Sequence, residues 1–146
     1  MIVKDDLLTS EEVARKSIDA FNRHDKAAYA ALIASDAVAY GPVYPEPLRG
    51  KTAIMKDLDA SFAALPDVHY EILRLLAKHR DAVVEFRIAG THTGSIQGLS
   101  GSIPATNKKA SWTGAEFLRI DSKVLIMEER RYFDPENLPK QFGLAK

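Results

Sequence analysis

An α+β fold is what three features of this 146-residue chain predict. The first part carries helical periodicity and the second part carries strand alternation. The strand segments also follow one another through short turns. Helices ahead of a run of consecutive strands point to helices gathered on one face of an antiparallel sheet. The length suits one domain, 1–146, large enough to bury a proper core.

The elements follow in order. Thr9 and Glu12 have the spacing of a capping box, which starts a first helix. Val13, Ile18 and Phe21 then recur close to helical spacing. Asn22 to Asp25 reads as a turn, with Asp25 capping an Ala-rich second helix through Ile33. Val38 and Tyr40 suggest a short strand, followed by a stiff loop with Gly41, Pro42, Pro45, Pro47 and Gly50. A third helix runs from about Thr52 to Leu65, with Ile54, Leu58, Phe62 and Leu65 on one stripe and Pro66 as its stop. HYEILRLLAKH is a strand and HRD a tight turn. AVVEFRIAGTHTG is the next strand, with Val84, Phe86 and Ile88 on one face and Glu85 and Arg87 on the other, an outer-face charge ladder or a dimer-interface pair. Gly94–Asn107 reads as a loop that can move as a lid. Asn107 suits a left-handed turn there. KASWTGAEFLRI and VLIMEERRYFD are the last strands, turned by Asp121 and Ser122. The tail DPENLPKQFGLAK caps the fold, with any helix after Asp134–Pro135 kept short by Pro139.

Composition excludes several classes of function. Twenty basic and 20 acidic side chains give a formal net charge of zero, which argues against nucleic-acid binding. The absence of Cys removes disulfides, thiol nucleophiles and Cys-based metal centres. No apolar stretch approaches the roughly 20 residues of a membrane span. The start, MIVKDDLLTSEE, carries acids where a signal peptide carries an apolar run. The expectation is a cytoplasmic protein without membrane attachment. None of the four His residues is paired at the i, i+4 spacing of a helical zinc site, so no metal is expected. No nucleophile elbow, phosphate-cradling loop or dinucleotide fingerprint is present.

The segments AFNRHD, FRIAGTHTG, GSIPATNKKASW, EFLRI and EERRYFDP resemble the SnoaL-like polyketide cyclase (ester cyclase) family of the NTF2-like superfamily, and the resemblance covers the chain from about Glu11 to Leu144. The resemblance implies a cystatin-like cone, with three N-terminal helices packed on a curved antiparallel sheet around a deep apolar pocket. It also implies an intramolecular aldol closure with no cofactor, driven by an acid/base pair. Relatives on the fold isomerise steroids, hydrolyse epoxides or only bind ligands, so fold alone does not settle function. The cyclase pocket His corresponds to Glu116, where steroid isomerases also place an acid. The cyclase Asp of the last strand corresponds to Arg131. The isomerase general base falls on Gly41, before Pro42, and the isomerase Tyr of helix one falls on Ser17, so the steroid route lacks its residues.

The candidate catalytic residues are therefore Glu116, Glu129, Arg131 and His92. Glu129 and Arg131 alternate on the last strand and share a face, with Glu116 on the strand before. A carboxylate in an apolar cone has a raised pKa and serves as a general base near neutral pH. An adjacent Arg polarises a carbonyl or holds an enolate. The other reading of the same residues is a structural cross-strand network. His92 is a rim acid/base or a strand-end hydrogen-bonding residue, whereas His24, His69 and His79 are expected to face solvent. Tyr40, Tyr44, Trp112 and Phe133 are the candidate ligand-binding residues, since aromatics with polar tips suit flat, partly oxygenated molecules. The expected partners are a small hydrophobic ligand and a second copy of the chain, paired through the outer sheet face. The function read is acid/base proton transfer on a small hydrophobic carbonyl compound. The alternative is a non-catalytic ligand-binding dimer.

Overall fold

Thr9 starts α1 (Ser10–Asn22) with the predicted capping box: its hydroxyl oxygen accepts from the Glu12 amide, and the Glu12 carboxylate accepts from the Thr9 amide. Two of the free amides at the helix start are thereby satisfied. The computed structural model describes residues 8–98 and 101–144. The sequence readings that touch residues 1–7, the middle of the supposed lid at 99–100 and the tail end at 145–146 lie outside them.

α1 buries Val13, Ala14, Ser17, Ile18 and Ala20. Asp25 caps α2 (Lys26–Ala31), accepting from the Ala28 amide at 3.0 Å. α2 stops short of the expected Ile33 because Ile33 opens β1 (Ile33–Tyr40), where it is fully buried and paired with Ile126. Pairing and burial override the helix preference of the alanines. β2 (Leu48–Arg49) precedes α3 (Lys51–Ala64), whose N-cap is Gly50 at φ +93°, a backbone conformation that favours glycine. The remaining elements are β3 (His69–Lys78), β4 (Asp81–Thr91), β5 (Ile96–Gly98), β6 (Gly101–Ile103), β7 (Lys109–Ile120), β8 (Ile126–Tyr132) and α4 (Asn137–Gln141).

The large sheet has the order β2-β1-β8-β7-β4-β3. β3, β4, β7 and β8 form the expected antiparallel meander. β1, however, runs parallel to β8, so the sheet is mixed rather than antiparallel. No hairpin joins β1 to β8, and only a hairpin would force opposite directions. The short strand expected at Val38 and Tyr40 is present but longer, as β1 starts at Ile33, and with β2 it lies between α2 and α3. Val84 and Phe86 face the core while Glu85 and Arg87 face out, and Arg87 pairs with Glu71 across the outer face at 2.8 Å.

The 94–107 segment is not wholly loop: β5 and β6 form a two-stranded hairpin within it. Asn107 does take the left-handed conformation, φ +60°. His69 and His79 are exposed, but His24 is half-buried and stacks on Phe62 at 4.0 Å between ring centroids. At Gly94 the hairpin entrance presses on the end of α3: a β-carbon there would lie 1.8 Å from the Ala63 carbonyl oxygen. That atom is backbone and cannot turn aside. Gly94→Ala is therefore expected to destabilise the protein by about 1–3 kcal/mol. Urea unfolding checks this, and an unchanged midpoint would disprove the close approach.

Candidate active site

Strand alternation places the site. On β7, Leu118 and Ile120 are buried on the face that carries Glu116, while Phe117 and Arg119 point out. On β8, Glu129 and Arg131 share the inner face and Glu128 and Arg130 pair on the other. The register sets Glu116 directly opposite Arg131 and Leu118 opposite Glu129. Two carboxylates and one guanidinium thus meet on the inner face of the sheet.

Burial is nearly complete: Glu129 is 1% and Glu116 8% exposed, and the Arg131 side chain is 25% exposed. Charges this deep require partners. Arg131 Nη2 donates to Glu129 Oε2 at 2.8 Å, and Arg131 Nε stands 3.6 Å from Glu116 Oε2. Tyr29 of α2 donates to Glu129 Oε1 at 3.0 Å, and Tyr70 of β3 donates to Glu116 Oε2 at 3.2 Å. Arg131 Nη1 donates to the Tyr44 hydroxyl at 3.0 Å, and Tyr44 donates to Asp57 Oδ2 of α3 at 2.6 Å. Asn22, the last residue of α1, hydrogen-bonds both the amide and the carbonyl of Tyr70, which fixes that ring's strand against the helix.

The electrostatics follow from this packing. Burial pushes the Glu116 carboxyl up to about 7; Arg131 pulls it down, Glu129 pushes it up further, and the Tyr70 hydrogen bond lowers it. The guanidinium of Arg131 is opposed by burial, but Glu129 and Glu116 more than offset this and hold its pKa above the ordinary value. Burial raises the Tyr29, Tyr44 and Tyr70 hydroxyls, with the neighbouring carboxylates adding to the shift. The cluster therefore holds one carboxyl able to exchange a proton near neutral pH beside a permanent cation.

A groove of about 380 Å³ lined by Tyr40, Gly41, Pro42, Arg131 and Phe133 reaches the cluster at Arg131. A second cleft, of about 610 Å³, lies between the start of α1 and the β3–β4 and β7–β8 turns, away from the charged trio. Both open to solvent. Tyr29, Tyr70 and Phe86 are buried beside the ion cluster, with the Tyr70 and Phe86 rings 5.1 Å apart.

The structure thus brings together Glu116, Glu129, Arg131 and Tyr44, with Tyr40 and Phe133 along the groove. Tyr40 also carries Arg130 over its ring at 3.9 Å, a cation–π contact. Trp112 is not at the groove; it packs between the two apolar clusters of the core. His92 is not at the cluster either. It follows β4 eight positions beyond Val84, the partner of Glu116, or roughly 25 Å along the strand. Its ring is fully buried; Nδ1 accepts from the Thr106 amide, Nε2 has no hydrogen-bond partner among the described residues, and the ring packs on Phe142 at 4.7 Å. It joins the 94–107 segment to the C-terminal tail. Sequence reasoning missed Tyr29, Tyr70 and Asp57. For Tyr70 a signal existed: a Tyr on the inward register of a strand needs a buried acceptor for its hydroxyl. Among the described residues no group of three or more His, Asp and Glu is placed to hold a metal, and no helix is long and apolar enough to cross a membrane.

The fold accords with known proteins. AclR, a proposed hydroxylase from Streptomyces galilaeus, is 19% identical with a TM-score of 0.78, over 94% of this chain and 86% of that one. A proposed SnoaL-like polyketide cyclase from Jannaschia sp. CCS1 is 11% identical with a TM-score of 0.80, over 94% and 93%. IdmH, a proposed polyketide cyclase from Streptomyces antibioticus, is 20% identical with a TM-score of 0.76, over 92% and 98%. At such identities the likeness is one of fold. No match was found among curated proteins. A family profile matches residues 14–128, from the middle of α1 into β8, and on that match the chain belongs to the SnoaL-like domain family.

Proposed function

We propose that this protein is a cofactor-free acid/base catalyst of the polyketide-cyclase type, acting on a small hydrophobic carbonyl compound. The observation that carries the reading is the buried Glu116 carboxyl, held near neutral pH beside Arg131, which itself lines an aromatic groove. Glu116 removes a proton from the carbon next to a carbonyl, and the C–H electron pair moves into the enolate. Donors on Arg131 hold the enolate oxygen. The enolate carbon then attacks a second carbonyl of the same molecule, and the Glu116 carboxylic acid returns the proton to the new alkoxide. Tyr70 keeps the Glu116 carboxyl in place, and Glu129 with Tyr29 keeps Arg131 in place. Tyr40 and Phe133 flank the entering ligand. Family membership and the cyclase-type relatives support the same chemistry.

Hydrogen exchange at the α-carbon of an aryl β-keto ester in D2O tests the reading. The native protein is expected to accelerate exchange at pH 7.5, and Glu116→Gln to lower that acceleration by about 100-fold or more. Equal exchange by the two proteins would remove Glu116 from the role.

One observation favours a second reading, a ligand-binding homodimer. Leu76, Phe117 and Tyr132 are exposed on the outer face of the sheet, where the Phe117 and Tyr132 rings meet edge to face at 5.7 Å. Such a patch suits a second copy of the chain. Sedimentation of native protein as a dimer, and of Phe117→Asp as a monomer, is the expected result. A native monomer would rule the pairing out.

A further inference from the structure

The Arg131 guanidinium is not shared evenly between its two carboxylates. It hydrogen-bonds Glu129 at 2.8 Å yet stands 3.6 Å from Glu116, beyond hydrogen-bond length. The cause lies at its other end. Arginine only donates, so the Tyr44 oxygen must accept from Nη1. The single Tyr44 proton is then free for Asp57, which receives it at 2.6 Å. A carboxylate on the far side of a hydroxyl strengthens that hydroxyl as an acceptor. With Nη1 tied to Tyr44 and Nη2 tied to Glu129, the rigid plane of the guanidinium has no freedom to turn its Nε edge onto Glu116. Glu129 takes a further hydrogen bond from Tyr29, whereas Glu116 is met by the Tyr70 hydroxyl at 3.2 Å.

We infer that Asp57 and Tyr44 are positioning residues: they hold Arg131 toward Glu129 and off Glu116, and so make Glu116 the member of the pair that carries the exchangeable proton. The inference rests on the reading of Glu116 as the acid/base group and adds the residues that tune it. Asp57 lies in α3 and Tyr44 in the proline-rich segment after β1, so the tuning comes from elements that do not carry the reacting groups. The titratable and charged groups facing Glu116 are Tyr70 from β3, Arg131 and Glu129 from β8, and Tyr29 from α2. Tyr44 and Asp57 act on it only through Arg131.

The test follows the side-chain carboxyl 13C signal of Glu116 against pH, assigned by its loss in Glu116→Gln. In Tyr44→Phe the released guanidinium is expected to close on Glu116 and lower its titration midpoint by roughly one pH unit. Asp57→Asn leaves an acceptor oxygen in place but removes the charge, and should shift the midpoint the same way by less. It carries the test alone if Tyr44→Phe does not fold. A midpoint unchanged or raised in the folded variants would overturn the inference. A merely structural tether would alter stability and leave the midpoint where it was. Glu116→Gln without effect on proton exchange would remove the proposed catalysis, yet the midpoint shift would still stand, so the two failures are distinguishable.

Discussion

Replacing Arg131 with Met is expected to destabilise the protein by about 3–5 kcal/mol at pH 8, because it leaves two buried carboxylates without their shared counter-charge. Met fills much of the same volume, so the loss reads charge more than packing. The effect should shrink toward pH 5, where Glu116 can take up a proton instead. Urea unfolding at the two pH values measures it. Adding Glu129→Gln should recover part of the loss at pH 8, since one of the stranded charges is then gone. A loss below about 1 kcal/mol at pH 8 would show that the cluster does not depend on Arg131.

Native stability is expected to fall as pH rises between about 4.5 and 7, opposite to the behaviour of a salt-bridged carboxylate with a lowered pKa. Burial raises the folded pKa of Glu116 from 4.5 to about 7, so within that window the folded protein binds more protons than the unfolded chain. Stability then decreases with pH, by up to about 1.4 kcal/mol per pH unit and a few kcal/mol in all. The Glu116 contribution is fully present below about 4.5 and lost above about 7. Glu116→Gln should flatten this slope. Asp67, held below the usual carboxylate range chiefly by its hydrogen bond from the Thr91 hydroxyl, acts in the opposite sense and only at lower pH, where its protonation removes stability. A stability profile that is flat from pH 5 to 7.5 would mean Glu116 does not titrate there.

Much of the site was legible before any coordinates. Capping at Thr9 and Asp25, the Pro66 stop and the period-two alternation of the last strands are local properties, and they put Glu129 and Arg131 on one face with Glu116 beside them. The same alternation turned Glu85 and Arg87 outward. His92 stayed open between a rim acid/base and a strand-end hydrogen-bonding residue, because a His at a strand end reads alike whether it meets a pocket or a packed loop. Only the third dimension shows Thr106 and Phe142 around it. The Ala-rich run after Asp25 misled for a related reason. Helix propensity favoured continuing to Ile33, and pairing with Ile126 decided otherwise.

The sequence by itself determined the α+β order, the capped helix starts and the face on which the three charged residues lie, because these depend on neighbours two to four positions away. Tertiary structure alone decided that β1 runs parallel to β8, that Tyr29 serves Glu129 from 100 residues away and Tyr70 serves Glu116 from 46, and that Asp57 reaches Arg131 through Tyr44. Those partners are set by strand register and helix docking, which bring together positions that no local periodicity relates.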